Sequence, residues 1–346
     1  MTERRRHGVV LVIVLVFALL LASTIATFLR RATIDYRVAY NREATSKAES
    51  LARGGVRLAG ALLLQDKLLE KSGGFAGETL TDLWAMVGLA PIELEDGSSL
   101  RLVIEDASSK LNLNAILAVD EGGAVNERAE PLLDALLTKV IDDIPLPPAE
   151  KLYDKEVLVR NLIDHVDPDE TSLQGGSEND AFERGESPVG PADRNRPLLS
   201  VDELRLVDGF DATLVEALRP YITVYPYVGT DGINPNTAPP HVLALIYHNT
   251  GTDLALLGDD EDAIRRLLKD RQEGFLLCGE KQSDESCKPI GEIVENANAA
   301  FPPLSYASNV FVVTAEARVG SVERRIEAVI DRGQGPEPLL LSWRVL

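Results

Sequence analysis

Hydrophobic positions divide the chain into two unlike regimes. Residues 9–29 read VVLVIVLVFALLLASTIATFL, 21 positions without a charge. At 1.5 Å rise per residue such a helix is about 31 Å long, enough to cross the hydrocarbon core of a bilayer. From residue 30 the pattern becomes amphipathic. Ile34, Val38, Ala48, Ala52, Gly55, Ala59 and Leu62 recur at spacings of three or four, with Asn41 and Thr45 filling one gap. Arg37, Arg42, Glu43, Lys47, Glu49, Arg53 and Arg57 take the other faces. No proline intervenes, so the spacing predicts one helix from about 9 to 70, ended by Gly73-Gly74. Its small residues predict close approach by another helix or a sheet. A separate second amphipathic helix is the alternative reading.

Beyond the helix, Ser99 to Ile104 reads as a strand after the turn residues Asp96-Gly97. Asn309–Arg318 and Val322–Asp331 are partly alternating runs joined by Val319-Gly320-Ser321, a hairpin signal. Residues 105–305 between them read mainly as helix and loop, with helices expected at 131–142, 156–166, 200–207, 239–249, 261–271 and 290–297. A weak internal repeat runs through this stretch: Leu111-Asn112-Leu113-Asn114 and Ile233-Asn234-Pro235-Asn236 share the pattern apolar-Asn-x-Asn. Asparagines at these places suit caps and turns. The fold class is therefore α+β, a long helix on a small antiparallel sheet interrupted by a large all-α insert.

Charge narrows the function. With 35 Lys+Arg against 55 Asp+Glu the net charge is −20, which argues against nucleic acid, since a phosphate-binding face needs clustered Lys and Arg. Leu204 to Phe210 resembles a helix-hairpin-helix turn, but its acidic surroundings favour a structural role. Two cysteines exclude a four-cysteine zinc site. Cys278 and Cys287 enclose eight residues, and in an oxidising compartment a disulfide between them would contribute about 2–3 kcal/mol. Residues 164–180, DHVDPDETSLQGGSEND, are an acidic loop. Counted from Asp167, Asp169, Thr171 and Glu178 fall at positions three, five and twelve of an EF-hand loop, yet Ser172 stands where that motif requires Gly. No phosphate loop, nucleophile elbow or His-Glu-x-x-His is present. His241 and His248 could share a helix face without further metal ligands. Asp259 to Asp262 are explained by a helix start. No active site is read.

The leader carries a resemblance. Arg4, Arg5 and Arg6, then Gly8, then an apolar run from Val9, resemble a type IV prepilin-like signal. In that family a prepilin peptidase cuts after the glycine and methylates the new terminus, here Gly8 and Val9. Most members carry Glu at the fifth mature position, where this chain has Ile13. A carboxylate in hydrocarbon is costly unless paired, so a subunit with no neighbour above it has no use for one. Lacking that Glu, and being large, the chain resembles the type II secretion system minor pseudopilin K family, and both Asn-x-Asn segments, Leu199 to Gly209 and the acidic loop match it as well.

The resemblance implies a leader at 1–8, a transmembrane helix at 9–29 and a pilin-like helix and first strand at 30–104. It further implies helical subdomains, SAM-like or helix-hairpin-helix-like, at 105–230 and 231–305, and pilin-like strands at 306–346. It implies calcium in the acidic loop, with Asp164, Asp167, Asp169, Glu178 and Asp180 as ligands. The expected setting is a single-pass anchor in the inner membrane with the bulk periplasmic, at the tip of a pseudopilus, assembled with minor pseudopilins I and J and other pseudopilins. Arg4 to Arg6 agree with a cytoplasmic start by the positive-inside rule, although Arg30 and Arg31 follow the span. Two rival readings are a membrane-anchored calcium-dependent periplasmic enzyme and a soluble periplasmic binding protein cleaved near Ala22-Ser23-Thr24.

Overall fold

The structure, a computed structural model, describes residues 4–71, 77–119, 125–145, 153–173, 175–184, 190, 194–229, 232–248, 259–279, 287–293, 300–333 and 335–346. Helix α1, Arg4–Lys71, is a single unbroken helix of 68 residues, as the spacing predicts. At 1.5 Å per residue it is about 100 Å long. The apolar segment 9–29 is exposed throughout, and so are Ile34 and Val38. Packing against the rest of the chain begins at Ala44 and continues through Ala48, Ala52, Val56, Ala59 and Leu63, a stripe stepping by three or four. The stripe is small because the sheet lies close: a Cβ on Gly55 would stand 3.0 Å from Leu100 Cδ1 and 3.1 Å from Ala315 Cβ. The expected stop at Gly73-Gly74 lies outside the described residues.

After α1 come a short helix α2 (Leu83–Met86), strand β1 (Ile92–Glu93) and strand β2 (Ser99–Asp106). The sheet is completed at the far end of the chain by β7 (Val310–Val319), β8 (Val322–Asp331) and β9 (Leu339–Val345), in the antiparallel order β1-β2-β7-β8-β9. Alternation buries Leu100, Leu102, Ile104, Val313, Ala315, Ala317, Ile326, Ala328 and Ile330 against α1. Trp84 caps that core, edge-on to Phe311 at 5.1 Å. The β7–β8 turn leans on the middle of α1, just before the packed stripe, where a Cβ on Gly320 would fall 2.7 Å from the Tyr40 hydroxyl. The other end of β8 reaches Leu63 to Glu70 through Arg332. Ten residues of strand cover about 34 Å and the helix from Tyr40 to Leu63 about 35 Å, so the two run almost side by side.

The insert leaves from Asp106 and returns at Val310, at the end of the sheet farther from the membrane-spanning segment. Its elements are β3 (Leu111–Asn112), α3 (Leu113–Ile116), α4 (Ala129–Asp143), α5 (Lys155–Val166), α6 (Asp180–Glu183), α7 (Ala212–Leu218) and β4 (Ile222–Thr223). They continue as α8 (Pro240–His248), α9 (Asp259–Gln272), β5 (Leu276–Cys278) and β6 (Cys287–Pro289). The insert is thus not wholly helical: β3 pairs in parallel with β4, and β5 with β6. The β3–β4 pair and one isolated bridge close the two modules. Leu111 pairs with Ile222, and Ile233 bridges in parallel to Leu304, so each Asn-x-Asn segment meets the end of its own module. Two expected helices are corrected. Residues Val201–Leu206 and Ile290–Glu292 are 3-10 turns, and 294–297 lie outside the described residues.

The repeated asparagines work alike. Asn112 and Asn234 each accept, at 3.0 Å, the N–H of the asparagine two residues on. Asn114 brackets Leu198, accepting its N–H at 2.8 Å and donating to its carbonyl at 2.9 Å. Asn236 does the same to Leu277, at 2.8 and 3.1 Å. One continuous apolar core, including Leu133, Leu162, Leu214, Leu243 and Leu267, runs through both modules.

Three polar clusters hold the insert, the sheet and α1 together. Asp106, fully buried, accepts from Thr237 Oγ1 at 2.5 Å, Ser308 Oγ at 2.7 Å, Ser108 N at 2.8 Å and Asn234 Nδ2 at 3.1 Å. Burial pushes its carboxyl up while these donors pull it back. Arg344 on β9 joins Glu327 of the sheet at 3.0 Å to Asp202 of the insert at 2.6 Å. Arg332, 3% exposed, pairs with Asp66 at 2.7 Å, Glu70 at 2.8 Å and the buried Glu78, whose other oxygen accepts from Trp84 Nε1 at 3.1 Å.

Candidate metal centre

The acidic loop begins inside the last turn of α5, where an apolar stripe of Leu158, Val159, Leu162 and Ile163 holds the helix in the core. That packing carries Asp164 and the helix-capping Asp167 inward, 7% exposed each. The chain then doubles back. Gly175 and Gly176 adopt φ of +89° and +97°, Ser172 N donates to Gly176 O at 3.1 Å, and Thr171 bridges to Ser177. Such φ values favour glycine, and together they return Glu178 to face α5 at 6% exposure. Arg194 steadies this arm, donating to Glu178 O at 2.6 Å.

Carboxylate oxygens of Asp164, Asp167 and Glu178 lie within 4.8 Å of one another. Asp164 is oriented by Ser172 Oγ at 2.8 Å and Leu173 N at 3.0 Å. Asp167 Oδ1 and Glu178 Oε1 are buried with no hydrogen-bond partner. Burial, with Asp169 and Asp164 beside it, pushes Asp167 up to about 6. Burial, with Asp167, Asp164 and Asp169 nearby and Arg194 opposing, pushes Glu178 up to about 7. Desolvation and like charge act together here, and Arg194 offsets them only in part. An all-oxygen, net-negative donor set with unpartnered buried oxygens fits a hard divalent cation. An adjoining open pocket of about 270 Å³ is lined by Asp164, Glu178 and Asp180 and gives a path to solvent.

Of the five expected ligands, the structure brings three together. Asp169 is exposed, its Oδ1 accepting from Thr171 N at 2.7 Å. Asp180 is half-exposed, with Arg184 at 4.0 Å. Asp164, which precedes the first EF-hand position, is inside the cluster while Asp169 and Thr171 bond to each other, so the layout is not that of an EF-hand. Cys278 and Cys287 are joined as a disulfide across the β5–β6 pair, with Cα atoms 5.9 Å apart. Gly8 and Val9 lie within α1. In the helix-hairpin-helix-like turn, Gly209 has φ +88° and presses on Leu158. Its neighbouring cations are engaged by acids: Arg205 with Glu216, and Arg219 with Asp202 and Glu216. His241 rests on Tyr221 at 4.6 Å and meets Pro220 O. Asp106 and Arg332, which organise the whole assembly, carried no signal in sequence, because their partners lie up to 266 residues away.

A long helix whose apolar segment fits a single-pass anchor, packed on an antiparallel sheet that carries a large, mainly helical insert, is a pilin-like architecture. Comparison with known proteins agrees. The family described as "Type II secretion system (T2SS), protein K" matches residues 109–227. The type II secretion system protein K of Klebsiella pneumoniae is 30% identical over 250 residues, covering 71% of this chain and 70% of that protein. Its counterpart from Aeromonas hydrophila is 26% identical over 349 residues, 98% of this chain and 96% of that one. In fold, the chain is similar to a structure of the GspK-GspI-GspJ complex from enterotoxigenic Escherichia coli, with a TM-score of 0.60 and 20% identity, over 89% of this chain and 99% of that one. The chain belongs to the type II secretion system protein K family and is a minor pseudopilin of that system.

Proposed function

We propose that this minor pseudopilin caps a periplasmic pseudopilus, helps start its assembly, and so supports export of folded proteins across the outer membrane. The observation that carries this reading is where the insert leaves the body. It emerges at the end of the sheet beside Leu63 to Glu70, the end farther from the span, where it would obstruct any subunit stacked above. Ile13 in place of a carboxylate is consistent with a subunit that has no upper neighbour. Residues 9–29 would anchor the chain in the inner membrane after a prepilin peptidase acts at Gly8 and Val9. Minor pseudopilins I and J are the expected partners, as the GspK-GspI-GspJ complex of the fold relative suggests.

The role is structural and not enzymatic. Calcium would be held by Asp164, Asp167 and Glu178, with Asp169 and Asp180 at the rim, fixing the doubled-back loop on α5. The two modules, each closed on its Asn-x-Asn segment, are read as SAM-like subdomains. Immunogold labelling of sheared fibres through a tag placed in the insert tests the cap: gold at one fibre end supports it, and gold along the shaft overturns it.

A further inference from the structure

A second pocket, in the other module and lined by none of the acidic-loop residues, has the opposite character. It has a volume of about 250 Å³ and lies between α9, β5 and the segment Thr79 to Thr81 that follows α1. Its polar anchor is Arg271, half-buried at the end of α9. Arg332 is matched with three carboxylates, and Arg219 and Arg344 with two each. Arg271 donates to Ala238 O at 2.7 Å, and among the described residues no carboxylate pairs with it. Burial lowers its affinity for a proton.

The rest of the pocket sets the ligand's shape. Leu268, Leu276, Leu80 and Phe275 make apolar walls. Lys288 stands over the Phe275 ring at 3.8 Å, its own charge met by Asp270 at 2.6 Å. Asp82, which follows the loop that forms one wall, fixes that loop by accepting from Thr79 N at 2.7 Å and Thr79 Oγ1 at 3.0 Å. A guanidinium fork matches one carboxylate in two parallel bonds, and the apolar walls suit a short methylene stem. The volume is below that of drug-sized sites. We propose that this pocket binds the carboxylate of a glutamate-like group, with Arg271 as its anchor. Because Thr79 to Thr81 belong to the pilin body and Arg271 to the insert, an occupant would brace the two together.

Reactivity of Arg271 toward phenylglyoxal, read by peptide mass spectrometry on the full chain in detergent micelles at fixed calcium, tests this. The peptide Ac-Ala-Glu-Ala-NH2 or glutarate is expected to slow modification of Arg271 at least about fivefold, while Ac-Ala-Gln-Ala-NH2 leaves it unchanged. Stronger protection by the peptide identifies a protein side chain as the source; stronger protection by glutarate identifies a free dicarboxylic acid. Gln272→Glu, which puts a carboxylate into the same pocket, is expected to slow modification without any ligand and to remove protection by the peptide. Absence of protection by both acids, equal protection by the glutamine peptide, or full protection persisting in Gln272→Glu overturns the proposal.

Discussion

Replacing Arg332 by Met isolates the cluster that ties α1, the segment after it and the sheet into one body. Arg332 is 3% exposed and faces three carboxylates of unequal freedom. The side chains of Asp66 and Glu70 are 20% and 22% exposed and can return to water, so their lost pairing costs less than about 1 kcal/mol each. Glu78 is fully buried and cannot. Among the described residues only Trp84 Nε1, at 3.1 Å, would still donate to it. A charge stranded in that way costs about 3–5 kcal/mol, which dominates the sum. Urea unfolding of the full chain in micelles, followed by Trp84 emission in a Trp343→Phe background, measures the loss. Glu78→Gln added to Arg332→Met removes the stranded charge and is expected to recover at least half of it. A loss under about 1 kcal/mol, or a double variant no more stable than Arg332→Met, would refute the assignment of Glu78 as the dominant partner.

The acidic centre makes a pH-dependent prediction of unusual sign. Asp167 and Glu178 titrate in the folded metal-free protein at about 6 and about 7, above their ordinary values of 3.8 and 4.5, so the folded state holds more protons between those limits. Metal-free stability is therefore expected to fall as pH rises from about 4 to about 7, and a denaturation midpoint higher at pH 8 than at pH 5 contradicts it. Calcium must displace those protons, so calorimetry should find its apparent affinity weakening as pH drops below about 7. Glu178→Gln is expected to stabilise the metal-free protein and abolish the calcium response; a retained response removes Glu178 from the ligand set. Neighbouring glycines on α1 should differ in sign: Gly54→Ala, with open space around it, gains about 1 kcal/mol, whereas Gly55→Leu meets Leu100 and Ala315 and loses about 1–3 kcal/mol by thermal denaturation. Asn236→Ala leaves the buried Leu277 N–H without its acceptor and is expected to cost about 1–3 kcal/mol, with exchange of that amide accelerating in parallel.

Periodic features were readable in sequence because their cause is local. The unbroken stripe from Ala48 to Ala59, the strand at Ser99 and the hairpin around Gly320 follow from side-chain spacing and turn chemistry alone. The strand pairs that close each module were not readable, since two-residue strands such as Leu111-Asn112 have no periodicity to detect. The Asn-x-Asn repeat was visible, but its geometry depends on Leu198 and Leu277, 84 and 41 residues further on. At the acidic loop, the run of carboxylates marked the stretch, and the family resemblance supplied the five expected ligands. Which of them converge is decided by the double glycine turn and the burial of α5, so Asp164 enters and Asp169 stays in solvent.

The insert departs and returns through β2 and β7, strands that are direct neighbours, with Asp106 opposite Phe311. Paired residues in an antiparallel ladder stand about 5 Å apart, a gap that a two-residue hairpin turn would close. The body is thus complete without its passenger, and gaining or losing the whole insert demands no rewiring of strand order. Exit points this close also make the seam a hinge line: a force applied to the insert loads the β2–β7 ladder from its open end, one hydrogen-bonded pair at a time. Asp106, Ser308 and Thr237 sit at that first rung, where a fastener resists peeling best.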